Sequence, residues 1–103
     1  MGLNKKILSL LGLAMRSGNL VSGEFAVQEA IRANSACLVI VAEDASSNTK
    51  KMFQNQCNHY QVPLYHFCRK EELGHAIGKE FRASIAVTDQ GFCNALLRQL
   101  DKE

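Results

Sequence analysis

Two neighbouring carboxylates, Glu43 and Asp44, close the most apolar run of the chain, Ala36 to Ala42. At the end of a strand in an open α/β sheet such a pair could hold a magnesium ion for phosphoryl transfer. The same pair also has plainer work available, complementing the positive end of the following helix. No GxxxxGK loop and no third carboxylate joins them. His59, His66 and His75 stand apart, without HxxxH or HxxE spacing, and neither a GxSxG nor a GxGxxG motif occurs. Cysteines at 37, 57, 68 and 93 form no CxxC. Each falls inside an apolar or helical pattern, so the expectation is four buried or half-buried thiols in a reducing compartment, with a redox role as the alternative.

Glycine placement says more. Gly23 falls in the first turn of a helix, where its missing side chain would let a ligand approach the free N–H groups of that helix end, an anion site. A bare turn is the plainer reading. Gly74 falls within a short helix, as a packing residue does, Gly78 closes it as a C-cap, and Lys79-Glu80-Phe81-Arg82 follows as a basic loop with one aromatic. There a base could stack on Phe81 while Lys79 or Arg82 meets phosphate, unless Phe81 is ordinary core. The formal charge is only +2, and basic residues are scattered as Lys5-Lys6, Lys50-Lys51, Arg69-Lys70 and Lys79/Arg82. This distribution suits a modest contact surface rather than a polybasic tail.

These residues must be positioned by the elements around them. Leu3, Ile7, Leu10, Leu11 and Ala14 make the apolar stripe of a first helix ending near Gly18. Leu20-Val21 is a short extended piece, and Ser22 is the expected N-cap of a second helix that runs to about Asn34 with Val27, Ala30 and Ile31 inward. The β-branched run Ala36 to Ala42 predicts a central strand covered on both faces. Thr49, Met52, Phe53, Gln56, Cys57 and Tyr60 mark one side of a third helix, which Pro63 terminates. Leu64 to Phe67 predicts a strand, Glu71 to Ile77 a helix, Ser84 to Thr88 a buried strand, and Asp89 caps a last helix carrying Phe92, Ala95, Leu96 and Leu100. This alternation predicts an α/β fold read as one domain, 1–103: a three-layer α/β/α sandwich around a small mixed four-stranded sheet, mostly parallel. No apolar run approaches the ~20 residues that span a bilayer, and the first residues carry no cleavage site, so the chain reads as cytoplasmic.

The run Leu38 to Ala45, the glycine at the start of the second helix, and Leu73-Gly74-x-Ala76-x-Gly78 before a buried strand together resemble the kink-turn-binding ribosomal-protein family, the "L-seven-Ae" family. The segments Leu11 to Glu24 and Glu43 to Thr49 resemble its bacterial YlxQ-like subgroup. The match runs from about Leu3 to Leu100. The resemblance implies an α/β/α sandwich with no catalysis, no cofactor and no metal. It also implies binding to a sharply bent RNA whose tandem sheared G·A pairs expose guanine edges. The expected partner is thus a kink-turn-like structured RNA, ribosomal RNA among the candidates, rather than DNA or a membrane, and the chain is expected to be a monomer.

In that family the second helix opens with G-A-N-E-x-x-K, whose Asn and Glu contact guanines and whose Lys reaches phosphate or base. Here only Gly23 matches, with Phe25, Ala26 and Glu29 in the Asn, Glu and Lys places. Ser22, Gly23, Glu24, Phe25, Gln28, Ser46, Lys50, Lys79, Phe81 and Arg82 are the expected RNA-binding residues. Two alternatives remain at this stage: a protein-interaction module using the face that includes Phe25, and a magnesium-dependent phosphoryl enzyme built on Glu43 and Asp44.

Overall fold

A computed structural model describes residues 2–102, with side chains from residue 4 onward. Helices and strands alternate as α1 (Gly2–Arg16), β1 (Leu20–Ser22), α2 (Glu24–Arg32), β2 (Leu38–Val41), α3 (Ser47–Tyr60), β3 (Leu64–His66), α4 (Lys70–Ala76), β4 (Ser84–Val87) and α5 (Gln90–Leu100). Ile7, Leu11 and Ala14 turn the same side of α1 into the core, as their three- and four-residue spacing requires; the side chain of Leu3 lies outside the described residues. Asp89 caps α5 by accepting from the Phe92 N–H at 3.0 Å. Helix α2 stops at Arg32, two residues short of Asn34, because Asn34 itself adopts a left-handed φ of 59°.

The sheet order is β1-β4-β2-β3. Strand residues alternate between two cores. Leu38, Ile40, Ile85 and Val87 face α1, α4 and α5, whereas Val39, Val41 and Ala86 face α2 and α3. The three layers are therefore as the sequence predicts, and the sheet is mixed, but it is not mostly parallel. Only β2 and β3 run parallel; β4 lies between β1 and β2 and runs against both. Alternation of helix and strand shows that each connection is long enough to cross the sheet. It does not show in which direction the next strand returns.

The cysteine expectation is corrected as well. Cys37 and Cys93 form a disulfide, while Cys57 and Cys68 are free and buried. Leu38 pairs with Val87, so the residue before β2 meets the first turn of the helix that follows β4. Burial pushes the Cys57 thiol up to about 11 and the Cys68 thiol up to about 12, which keeps both protonated and unreactive at neutral pH. Among the described residues no helix is long and apolar enough to cross a membrane.

Candidate nucleic-acid interface

Three strands finish and one begins at the same end of the sheet. Ser22 closes β1, Val41 closes β2, His66 closes β3, and Ser84 opens β4. The antiparallel pairing of Ser22 with Ile85 and of Val41 with Ser84 places the starts of α2 and α3 beside the loop 77–83. Backbone bonds stitch these pieces together: Gly23 N–H donates to the Ser84 carbonyl at 3.1 Å and Ala42 N–H to the Ala83 carbonyl at 2.8 Å.

Ser22 does not cap α2. The N-cap is Gly23, with no side-chain cap bond, and Ser22 Oγ instead accepts from Arg82 Nε at 3.0 Å. A serine directly before a helix is the ordinary signal for a cap. Here a cation 60 residues away in sequence claims the hydroxyl. Arg82 Nη1 also donates to the Phe81 carbonyl at 2.8 Å, so the guanidinium is fixed between the loop and the start of α2. Gly23 has φ 94° and ψ 152°, a conformation that is essentially glycine-only, and a Cβ there would meet nothing within 4 Å. Backbone geometry rather than clearance thus requires this glycine.

Gly74 does the opposite. A Cβ on it would lie 2.6 Å from the Glu80 carbonyl oxygen and 2.8 Å from the Phe81 nitrogen. Its bare Cα is the seat of the basic loop, which is held further by Lys79 N–H on the Gly74 carbonyl at 2.8 Å and Arg82 N–H on the Lys70 carbonyl at 3.1 Å. The loop projects Phe81 outward, 57% exposed. Phe81 is therefore surface and not core.

Ser46 caps α3, its Oγ accepting from Thr49 N–H at 3.1 Å, so part of its hydrogen-bonding capacity is committed to structure. Lys50 and Lys79 have no carboxylate within ion-pair distance among the described residues. Glu24 and Phe25 are exposed at the start of α2. Gln28 points elsewhere, its Oε1 accepting from Arg32 at 3.4 Å. Phe25, Ala26 and Glu29, the three positions that depart from the G-A-N-E-x-x-K pattern, all line one shallow groove between α2 and β1. Sequence reasoning had no means of seeing that groove, because it exists only through the packing of α2 on an edge strand three residues long.

The carboxylate pair is placed differently from the expectation. Asp44 complements α4 and not α3: its Oδ1 accepts from Lys70 N–H at 2.8 Å, and its Oδ2 lies 3.4 Å from the Arg69 guanidinium. The Lys70 N–H holds the Asp44 carboxyl below the usual carboxylate range, with burial opposing and Arg69 assisting. Glu43 is exposed and gives its N–H to the Cys68 carbonyl at 2.7 Å. Among the described residues no group of three or more potential ligands could hold a metal ion.

The α/β/α sandwich thus gathers two helix starts, a glycine-seated basic loop and exposed aromatics at one sheet end. The model of the ribosomal protein L7Ae/L30e/S12e/Gadd45 family matches residues 5–97, and the chain belongs to that family. The RNA-binding protein YlxQ of Bacillus subtilis (strain 168) is 51% identical over 92 residues, covering 89% of this chain and 92% of that protein. RNA-binding protein YlxQ of Enterococcus faecium is 40% identical, over 88% of this chain and 87% of its own. Large ribosomal subunit protein eL30 of Tetrahymena thermophila is 34% identical, over 82% and 84% respectively. Such relatives are RNA-binding and ribosomal proteins, a non-enzymatic family.

Solved structures agree on the fold. A protein of unknown function from Bacillus halodurans C superposes with a TM-score of 0.90 at 42% identity, over 93% of this chain and 97% of that one. The Giardia lamblia 15.5kD RNA binding protein shares the fold with a TM-score of 0.84 at 19% identity, over 99% of this chain and 88% of its own.

Proposed function

We propose that the chain binds structured RNA, without catalysis, at the sheet end where α2, α3 and the loop 77–83 meet, and that its RNA is sharply bent in the manner of a kink-turn. The observation that carries this reading is the Arg82–Ser22 hydrogen bond. It joins two segments far apart in sequence into one surface that presents Gly23, Phe81 and a guanidinium together. Lys79 and Lys50, without an ion-pair partner among the described residues, add cations enough to meet a few phosphates.

Recognition is by shape more than by base edges. Where the family pattern has Asn and Glu, Phe25 and Ala26 offer no polar side-chain atoms, and each good base contact forgone is worth about 1–3 kcal/mol. A preformed bend can still be read through backbone contacts and stacking. In this reading the protein acts as a monomer in the cytoplasm, with ribosomal RNA as its natural partner.

A gel shift at fixed salt tests the proposal. A duplex with a three-nucleotide bulge and tandem G·A pairs is expected to bind more tightly than the same RNA with those pairs made Watson–Crick. Equal affinities would leave no kink-turn selectivity.

A further inference from the structure

We propose that the outer face of α1 is a docking site for an acidic amphipathic helix of a partner protein, a contact separate from the RNA-binding surface. A shallow groove of about 470 Å³ runs along that face between Lys5, Lys6, Ser9, Leu10 and Leu13. Helical spacing puts them there. With Ile7, Leu11 and Ala14 turned into the core, residues three and four apart on the other side must face out. Leu10 is partly buried against the core and also lines the groove. Leu13 is 48% exposed, and the other large apolar side chains exposed among the described residues, Phe25 and Phe81, lie at the proposed RNA surface. Neither the core nor that surface accounts for Leu13, which sits in the layer opposite α2 and α3.

Charge selects the occupant. Residues 1–23 hold Lys5, Lys6 and Arg16 and no carboxylate, in a chain whose formal charge is only +2. Arg16 follows Leu13 by three residues and is exposed, so the leucine lies between basic groups along the helix. None of the three cations has a carboxylate within ion-pair distance among the described residues. A straight apolar strip with cations toward both ends complements a helix whose leucines are flanked by glutamate or aspartate. Two other occupants fit less well. Phosphates of a nucleic acid would meet the cations and leave Leu10 and Leu13 uncovered. An anionic membrane would need a broad apolar face to sink into it, but that face of α1 is already spent on the core through Ile7, Leu11 and Ala14.

The probe is a peptide of about 15 residues, long enough for four turns of helix, with leucines three and four apart on one side and glutamates flanking them. A second peptide carries lysine at every glutamate. Titrated into the whole chain, the glutamate peptide is expected to bind saturably, to shift the amide signals of Lys5 to Arg16, and to bind about tenfold more tightly than the lysine peptide. Leu13→Gln keeps helix propensity while removing the apolar contact, and should weaken binding about tenfold. Lys5→Gln combined with Lys6→Gln should weaken it several-fold and flatten its salt dependence. Circular dichroism checks that both variants are folded. The assignment is overturned if neither peptide binds, if the two bind alike, if Leu13→Gln leaves the affinity unchanged, or if the shifted amides lie elsewhere. Displacement of the peptide by the bulged G·A duplex would give this face to the RNA. Cosedimentation of the parent, but not of Leu13→Gln, with anionic phospholipid vesicles would give it to a membrane. Either result overturns the assignment, and neither is expected.

Discussion

Where β2 begins, Cys37 is bonded to Cys93, Cys37 N–H reaches the Val87 carbonyl at 2.9 Å, and Thr88 N–H reaches the Asn19 carbonyl at 2.9 Å. Where β2 finishes, the chain is held by a glycine without room for a Cβ, a glycine in a φ that other residues avoid, and a serine–arginine contact. One end is closed covalently and by ladder extensions. The other is assembled from long-range contacts that leave aromatic and cationic side chains outside. The contrast teaches that the covalent crosslink and the proposed recognition surface lie at opposite ends of the same sheet, so each can be perturbed with the other as an internal control.

The largest expected effect is at the closed end. Reducing the disulfide, or replacing Cys37 by Ser, frees a crosslink between residues 56 apart. Chain-entropy reasoning gives a loss of about 4 kcal/mol in unfolding free energy. Denaturant unfolding with and without reductant measures it, and affinity for the bulged duplex should stay within about twofold. A parallel loss of affinity would show that the two ends are coupled.

Next is Gly74→Ala, which puts a methyl against the backbone of Glu80 and Phe81. Overpacking of this kind costs about 1–3 kcal/mol. Because the displaced backbone is the basic loop itself, the variant should lose RNA affinity as well as stability. Measuring both on one preparation separates it from disulfide reduction, which should move stability alone.

The smallest effect is in the salt dependence. Lys79→Ala should flatten the slope of log affinity against log salt by about one unit, whereas Phe81→Ala should weaken binding with its slope intact, since stacking releases no counterions. Titrations at several salt concentrations decide it. An unchanged slope for Lys79→Ala would take that ammonium off the interface.

Much of this architecture was legible in the sequence because its signals are local. The stripe Ile7, Leu11 and Ala14, the cap Asp89, and the apolar run before Glu43 each declare an element through neighbours within a turn or a strand. The failures share one cause, which is distance along the chain. Ser22 looks like a cap until Arg82 is seen beside it, and Cys37 looks like a lone buried thiol until β2 is paired with β4. Asp44 was recognisable as a residue that tends a helix, but the helix is α4, reached only after β3 lines up beside β2. Of the candidate site, the glycine and the basic loop could be picked out by type. The groove beneath Phe25 could not, since Val21 and Ala33 become neighbours only after folding.

The seating of the loop at Gly74 also has a kinetic meaning. Lys79 and Arg82 are tied through their backbones to the Gly74 and Lys70 carbonyls, and the Arg82 side chain is tied to Ser22. In the proposed reading an incoming RNA meets a surface that is already in place, so little ordering entropy is left for the protein to lose on contact. Any slow step in association then belongs to the ligand, and encounter with a ligand bent in advance should proceed as a single phase whose rate scales with concentration.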